Sequence, residues 1–363
     1  MTTFFVLVRA IHMAACLMVF GMCVFDRFVV GGALDELAPP VQALWSRIAA
    51  RLHFICLPTI LLSGAAWFAL VVIAMSGLSP VEALRPHFIG IVLDQTQFGA
   101  LWKVRGGLWL VALIFIFVKT KDRVPGRRGF PVGWVYSPTI SRSWWASTPT
   151  LQAPPPGMGD APKTRRAVPA LRAVSAMAFS AALLASLAWS GHGSVGDWPS
   201  MHLATDAIHV LASAGWPAGL LPLLIILLVM RRIDSPEKWL AIAIIVRRFS
   251  AMSLICVALL ILTGIINSWI LVGSIPNLWH TAYGWALLVK IVMFVVMLAI
   301  GAINLLVLKP RFDRAAITEN ADFIESHARR LRRNVALELA LGTGLMIAVG
   351  LLGLLPPAFQ AIE

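Results

Sequence analysis

The sequence predicts an all-α integral membrane protein of eight transmembrane helices. Three observations lead there. The chain is 59% hydrophobic and only 13% charged over 363 residues, whereas a soluble domain carries roughly 25% charged residues. Its mean hydropathy is +0.83. Its apolar residues gather in eight runs, each of the roughly 20 residues that a helix needs to cross a hydrocarbon core about 30 Å thick.

In chain order the predicted spans are 4–25, 52–75, 100–118, 170–190, 203–230, 248–272, 284–308 and 335–355. No basic residue precedes the first run and Arg9 lies inside it, so it reads as a retained span and not as a cleaved signal peptide. Between the third and fourth runs lies the one long insertion, 119–169. It is rich in Pro, Gly and basic residues, lacks helical periodicity and is expected to be an extended loop. Pro217 and Pro222 fall inside the fifth run and are expected to kink it. The chain thus divides into a first membrane unit (1–118), a basic loop (119–169) and a second membrane unit with span 4 and span 8 (170–363).

Charge sets the orientation. The loops after spans 1, 3, 5 and 7 hold 25 of the 30 Lys and Arg residues, and the intervening loops are nearly bare. By the positive-inside rule the basic loops are cytoplasmic, which puts both termini on the other side (N-out, C-out). The net charge of +13 therefore reports topology and acidic headgroups, and argues against a nucleic-acid partner. Cys16, Cys23, Cys56 and Cys256 all fall within spans. Cys16 and Cys23 are seven residues apart on one helix, about 10 Å of rise, too far for a disulfide.

Internal similarity adds a parallel repeat of spans 1–3 and 5–7. FGALWKVR (98–105) aligns with YGWALLVK (283–290), matching Arg105 to Lys290. Arg47, Cys56, Leu62, Ser63 and Gly64 align with Arg247, Cys256, Leu262, Thr263 and Gly264, and AIH at 10–12 with AIH at 207–209. Such a repeat has its pseudo-symmetry axis along the membrane normal. It predicts that His12 and His209 lie at similar depth near the extracytoplasmic ends of spans 1 and 5, facing one another.

Six of the eight histidines, His12, His87, His192, His202, His209 and His280, fall on or near that extracytoplasmic side. His53 starts span 2, and His327 is expected in the last cytoplasmic loop. His202, Asp206 and His209 have i, i+4, i+7 spacing and share a helical face. An imidazole–carboxylate–imidazole stripe with Met201 beside it suits a transition metal, the thioether favouring Cu(I). The alternative is that Asp206 merely orients His209. On span 1, Arg9, His12 and Cys16 share a face, although intramembrane Cys usually packs. Arg105 and Lys290 need partners within the bundle, for which Asp94, Asp206 or an anionic group is available. Glu338 reads as an internal ion-pair partner or as part of an exit path or proton relay. The chain contains no Walker A loop, HExxH, nucleophile elbow, CxxC or CxxCH, which argues against an ATP-driven pump, a c-type cytochrome and familiar hydrolases.

The segments RAIHMAACLMVFG (9–21), DAIHVLASAGWPAGLLPL (206–222), LTGIINSW (262–269), HTAYGWALLVKIVMFVVMLAIGAIN (280–304) and RRNVALELALG (332–342) resemble the copper-resistance protein D (CopD) family. The resemblance is clear over 200–363 and weaker over 1–118. It implies a bacterial inner-membrane protein of copper uptake or tolerance that acts with a small periplasmic (CopC-like) copper-binding protein. His12 and His209 would be its membrane-embedded functional histidines, with Lys290, Asn304 and Glu338 at family positions. Two functions follow as expectations. One is copper movement through ligands drawn from His12, His209, His202, Asp206, Met201, His192, His87 and His280. The other is a haem b redox protein, a quinol-linked cupric reductase, with His12 and His209 as axial ligands and Arg9, Arg105 or Lys290 on the propionates. A non-transporting scaffold for the periplasmic partner is a third.

Overall fold

A computed structural model describes residues 2–31, 39–117, 163–190, 199–233, 237–310 and 321–360. Among them there is no strand, and eight helices are long and apolar enough to cross a membrane: Thr2–Val30, Gln42–Ser76, Gln97–Phe117, Leu171–Ser190, Pro199–Met230, Lys238–Val272, Ala282–Leu308 and Ile324–Leu352, here spans 1 to 8.

The boundaries differ from the apolar runs in one systematic way. At the end bearing the basic loops, spans 2, 6 and 8 begin about ten residues earlier than expected, taking in Arg47, Arg51, Arg247 and the arginines of 329–333. An apolar run marks only the part of a helix that meets lipid, and arginine and lysine are good helix formers that extend it into the polar zone. His327, expected in a loop, accordingly sits buried on the helix of span 8. Residues 163–169, expected in the basic loop, continue the helix Lys163–Ala185 that carries span 4. The remainder of that loop lies outside the described residues.

Span 5 is broken rather than kinked. One helix ends at Gly215, residues 216–219 form a turn, and a second helix runs Leu220–Met230. Pro217 has no N–H to give to the ladder, and Ala218 N instead reaches back to Ser213 O (3.2 Å). Pro222 falls in the first turn of the second helix, where the missing N–H costs nothing. A Cβ at Gly219 would meet Phe249 of span 6 at 2.9 Å, so the turn presses closely on its neighbour.

Spans 1 and 5 are the most enclosed. Span 1 packs against spans 2, 4, 5 and 8, while span 5 also meets spans 4, 6 and 8. Their approach is close because a Cβ on Gly21 would lie 2.8 Å from Ala214 O, and small residues are what allow membrane helices to touch. Outward apolar side chains on spans 2, 6 and 7, such as Leu62 (70% exposed), Leu262 (58%) and Leu306 (71%), form the lipid-facing belt. Hydrogen bonds tie the helix ends together. At the basic end Trp45 Nε1 donates to Asp26 (3.0 Å), Arg172 donates to Phe115 O and Ile116 O, and Arg248 donates to Gly31 O. At the other end Arg9 joins span 1 to Gly353 O beyond span 8 (2.8 Å). Spans 2 and 6 there stop at Gly77 (φ 65°) and Gly273 (φ 73°), left-handed positions that glycine takes without a Cβ clash.

Candidate functional site

Two histidine centres occupy the half of the bundle away from the basic loops. They are built alike and finished differently.

In the first, His12 of span 1 is 1% exposed. Its Nδ1 lies 3.1 Å from Ser63 Oγ on span 2, and that hydroxyl gives its own proton to Thr59 O (2.5 Å). Ser63 therefore accepts, and His12 carries its proton on Nδ1. The other nitrogen, Nε2, accepts from Arg105 Nη2 at 2.6 Å. Arg105, on span 3, also donates to Ser186 Oγ (2.6 Å) and Leu183 O (3.1 Å) on span 4, and lies 3.7 Å from Cys16 Sγ. Trp67 and Trp102 wall the imidazole at centroid distances of 5.4 and 5.6 Å, and the Arg9 guanidinium lies over Trp67 at 4.7 Å. This centre is thus a buried guanidinium held by neutral acceptors. Asp94, a candidate partner for it, pairs instead with exposed Lys103 (3.2 Å).

In the second, His209 of span 5 sets its Nδ1 2.9 Å from Thr263 Oγ1 on span 6, and Thr263 donates to Leu259 O (2.6 Å). The tautomer is fixed as before, with the proton on Nδ1. Here, however, no hydrogen-bond partner meets Nε2 among the described residues. The cation in the neighbourhood is Lys290 of span 7, which interacts electrostatically with both His209 and Asp206. Asp206 also feels His202, and Asn267 Nδ2 donates to Asp206 Oδ1 (3.3 Å) while Asn267 Oδ1 accepts from Thr205 Oγ1 (2.7 Å). Half-buried Asp206 and Lys290 thus counterbalance each other beside an imidazole with a free nitrogen.

The remaining candidates separate by position. His202 is buried, 1% exposed, one turn above Asp206. Met201 is 44% exposed, and His87 and His280 are exposed on the short helices Pro86–Gln95 and Asn277–His280. His192 lies outside the described residues. Among the described residues no group of three or more His, Cys, Asp or Glu side chains forms a ready metal cage. No hydrogen bond or ring contact joins His12 to His209, and His12 Nε2 accepts from Arg105.

Several participants were silent in sequence. Ser63 and Thr263 stood out only as matched positions, yet each fixes a histidine tautomer. Trp67, Trp102 and Ser186 carried no signal, because their roles arise from helices far apart in the chain. Gly64 is small because a Cβ there would meet Trp102 at 3.0 Å and His12 Cε1 at 3.1 Å.

Comparison with known proteins places this geometry in context. Residues 243–352 match the family model Copper resistance protein D, and residues 1–133 match Copper resistance protein D-like, N-terminal domain. The chain is 30% identical over 225 residues to Copper transport protein CutJ of Bacillus subtilis (strain 168), covering 62% of this chain and 33% of that protein. It is 29% identical over 181 residues to Copper resistance protein D of Pseudomonas syringae pv. tomato, covering 49% and 57%. It is 33% identical over 136 residues to Inner membrane protein YebZ of Escherichia coli (strain K12), covering 36% and 45%. The matched stretches thus span from a third to somewhat over half of those relatives' own lengths. No solved structure matches the chain.

Proposed function

Because the chain belongs to the copper resistance protein D family and is a multi-pass inner-membrane protein, we propose that it moves copper ions across that membrane, with His209 as the ligand at the entrance. The observation that carries this reading is the state of the His209 ring: Nδ1 is tied to Thr263, and Nε2 has no hydrogen-bond partner among the described residues. A neutral imidazole with its second N–H hydrogen-bonded is the usual form of a metal-binding histidine.

Orientation follows from the basic loops, which we read as cytoplasmic, so that the histidine centres face the periplasm. We read spans 1–3 and 5–7 as a parallel duplication. In its support, His12–Ser63 and His209–Thr263 make the same bond, and Thr96 caps Gly99 N (2.9 Å) as Thr281 caps Gly284 N (2.9 Å). The division into a first membrane unit, a basic loop and a second membrane unit fits that duplication. We read exposed Met201, His87 and His280 as groups that collect copper or receive it from a small periplasmic copper-binding protein; His192, in the same role, lies outside the described residues. His202 and Asp206 lead inward to His209. A cargo ion must leave as well as arrive, so one- and two-residue stations suit transport better than a closed four-ligand cage.

The test is metal analysis of the purified protein and its variants. His209→Ala is expected to lose bound Cu(I), while His12→Ala keeps it, because Nε2 of His12 is already occupied by Arg105. Equal loss in both variants, or a Soret band that vanishes with either histidine, would overturn the assignment.

A further inference from the structure

A third polar centre lies deeper in the bundle, on the basic side of the break in span 5. Glu338 of span 8 is 2% exposed. Asn304 Nδ2 of span 7 donates to its Oε1 at 2.7 Å, Asn334 Nδ2 donates to Asn304 Oδ1 at 2.8 Å, and the Trp216 indole lies beside the carboxylate over Gly301. Space for the carboxylate exists because Gly301 faces it, where a Cβ would lie 3.6 Å from Oε2 and 3.8 Å from Trp216.

All of these donors are neutral. Among the described residues no Lys, Arg or His nitrogen lies within 4.0 Å of the carboxylate. Span 7 brings Lys309 only to the mouth of the adjoining cleft, and span 8 itself brings His327 there. Arg333 lines a separate groove, and Arg332 is taken by Glu325 at 2.7 Å. No charged group of spans 1 or 5 acts on Glu338. The ion-pair role that the sequence allowed is therefore unfilled, and a lone carboxylate in this position is costly unless it exchanges a proton.

Two further features suit such exchange. Asn304 reaches the carboxylate on one side and lines a cleft on the other, together with Ala243, Val246, Lys309, His327 and Leu331. Asn304 also opens a π-helical turn, Asn304–Leu308, a rare widening that recurs at functional sites. Trp216, for its part, is the first residue after the helix that carries His209. Glu338 thus lies beside the first residue of the break in span 5, and discontinuous helices are where membrane transporters place their moving parts.

We propose that Glu338 is a proton-binding site, loaded from the basic-loop side through the Asn304 cleft, that grips or releases the break in span 5 through Trp216. The proton comes from solvent in the cleft, converts carboxylate to carboxyl, and returns by the same route; no electron moves. The link to copper rests on the functional reading above, whereas the proton site itself does not.

The experiment is a pH titration of the full-length protein in detergent, without copper, followed by infrared difference spectroscopy. A protonated-carboxyl C=O band is expected to appear as the pH falls and to be missing from Glu338→Gln. A wild-type protein without such a band, or a Glu338→Gln variant that retains it, overturns the proposal. If Glu338→Gln does not fold, Trp216→Phe keeps the carboxylate and Asn304, and must move the titration midpoint; an unmoved midpoint overturns the Trp216 contact. Cu(I) affinity measured in parallel should vary with pH in the wild type and flatten in Glu338→Gln, and an unflattened profile removes the coupling. A protein that binds no copper at all counts against the transport reading and leaves the infrared result to decide the proton site.

Discussion

Replacing Thr263 by valine tests the assignment of His209 with the smallest change in shape. Thr263 is 3% exposed and accepts the Nδ1 proton of His209 at 2.9 Å. Valine has nearly the same volume but no acceptor, so the Nδ1–H loses its partner. A buried donor left unsatisfied costs about 1–3 kcal/mol. Metal-binding histidines that lose such an outer partner typically lose about 10–100-fold in affinity, which is about 1.4–2.8 kcal/mol, so the two routes agree. Thr263→Val is therefore expected to weaken Cu(I) binding about 10–100-fold in competition with a chelator, with a fall in melting temperature. Thr263→Ser should restore most of the affinity, because Ser63 makes the equivalent bond to His12 (3.1 Å). The decisive comparison is Ser63→Ala. It strips the same partner from His12 and should cost stability but leave copper affinity unchanged. If Ser63→Ala weakens copper as much as Thr263→Val does, or if Thr263→Val binds like the wild type, the reasoning that separates the two histidines is wrong.

Three further outcomes are expected. Arg105→Leu removes the donors to His12 Nε2, Ser186 Oγ and Leu183 O and should destabilise the protein by about 1–3 kcal/mol, the usual cost of leaving a buried polar group unsatisfied, read as a lower melting temperature in detergent. Where that variant is purified folded, freed His12 Nε2 and Cys16 Sγ, 3.8 Å apart, should take up a second Cu(I), and adding Cys16→Ser should abolish it. Gly64→Ala forces a methyl group to about the 3.0 Å contact with Trp102 and should cost about 1–3 kcal/mol as overpacking, whereas Gly264→Ala, whose Cβ would stand 3.6 Å from His209 Cε1, should melt close to the wild type. Asp206→Asn leaves Lys290 without its electrostatic counterpart and is expected to lower Cu(I) affinity about fivefold or more, a unit-charge interaction at about 4 Å being worth about 1 kcal/mol even in bulk water, without loss of folded protein by gel filtration.

Hydropathy made the eight spans legible because lipid tolerates little else than a long apolar helix. It could not give their ends, since the arginine-bearing turns of spans 2, 6 and 8 leave the hydrocarbon while the hydrogen-bond ladder continues. Pro217 announced trouble in span 5 but not its form; a full break required Gly219 against Phe249 of span 6, a neighbour 30 positions away. The histidines were legible as chemistry and not as state. Nothing in AIH at 10–12 or 207–209 tells that one ring is closed by a cation from span 3 and the other left open. Glu338 was visible as an intramembrane carboxylate, but an ion-pair partner can be excluded only once no Lys, Arg or His nitrogen among the described residues is found within 4.0 Å of it.

The difference between the two centres traces to one matched position and its surroundings. Where the second unit has Asp206 three residues before its histidine, the first has Arg9 three residues before His12. With Arg9 turned to Gly353 O and Trp67, nothing acidic balances Arg105, and the guanidinium settles on His12 Nε2. Two unit positive charges 4 Å apart repel by about 4 kcal/mol at an effective dielectric of 20, nearly a thousandfold in binding. A copper ion approaching His12 meets that repulsion as well as an occupied nitrogen. At His209 the same approach meets Asp206 against Lys290 and an unoccupied nitrogen. Under the proposed duplication and copper path, the first unit, stapled by its own cation through spans 1, 3 and 4, would serve as the rigid wall, and the second, with a broken helix and an open imidazole, would be the unit that binds and moves.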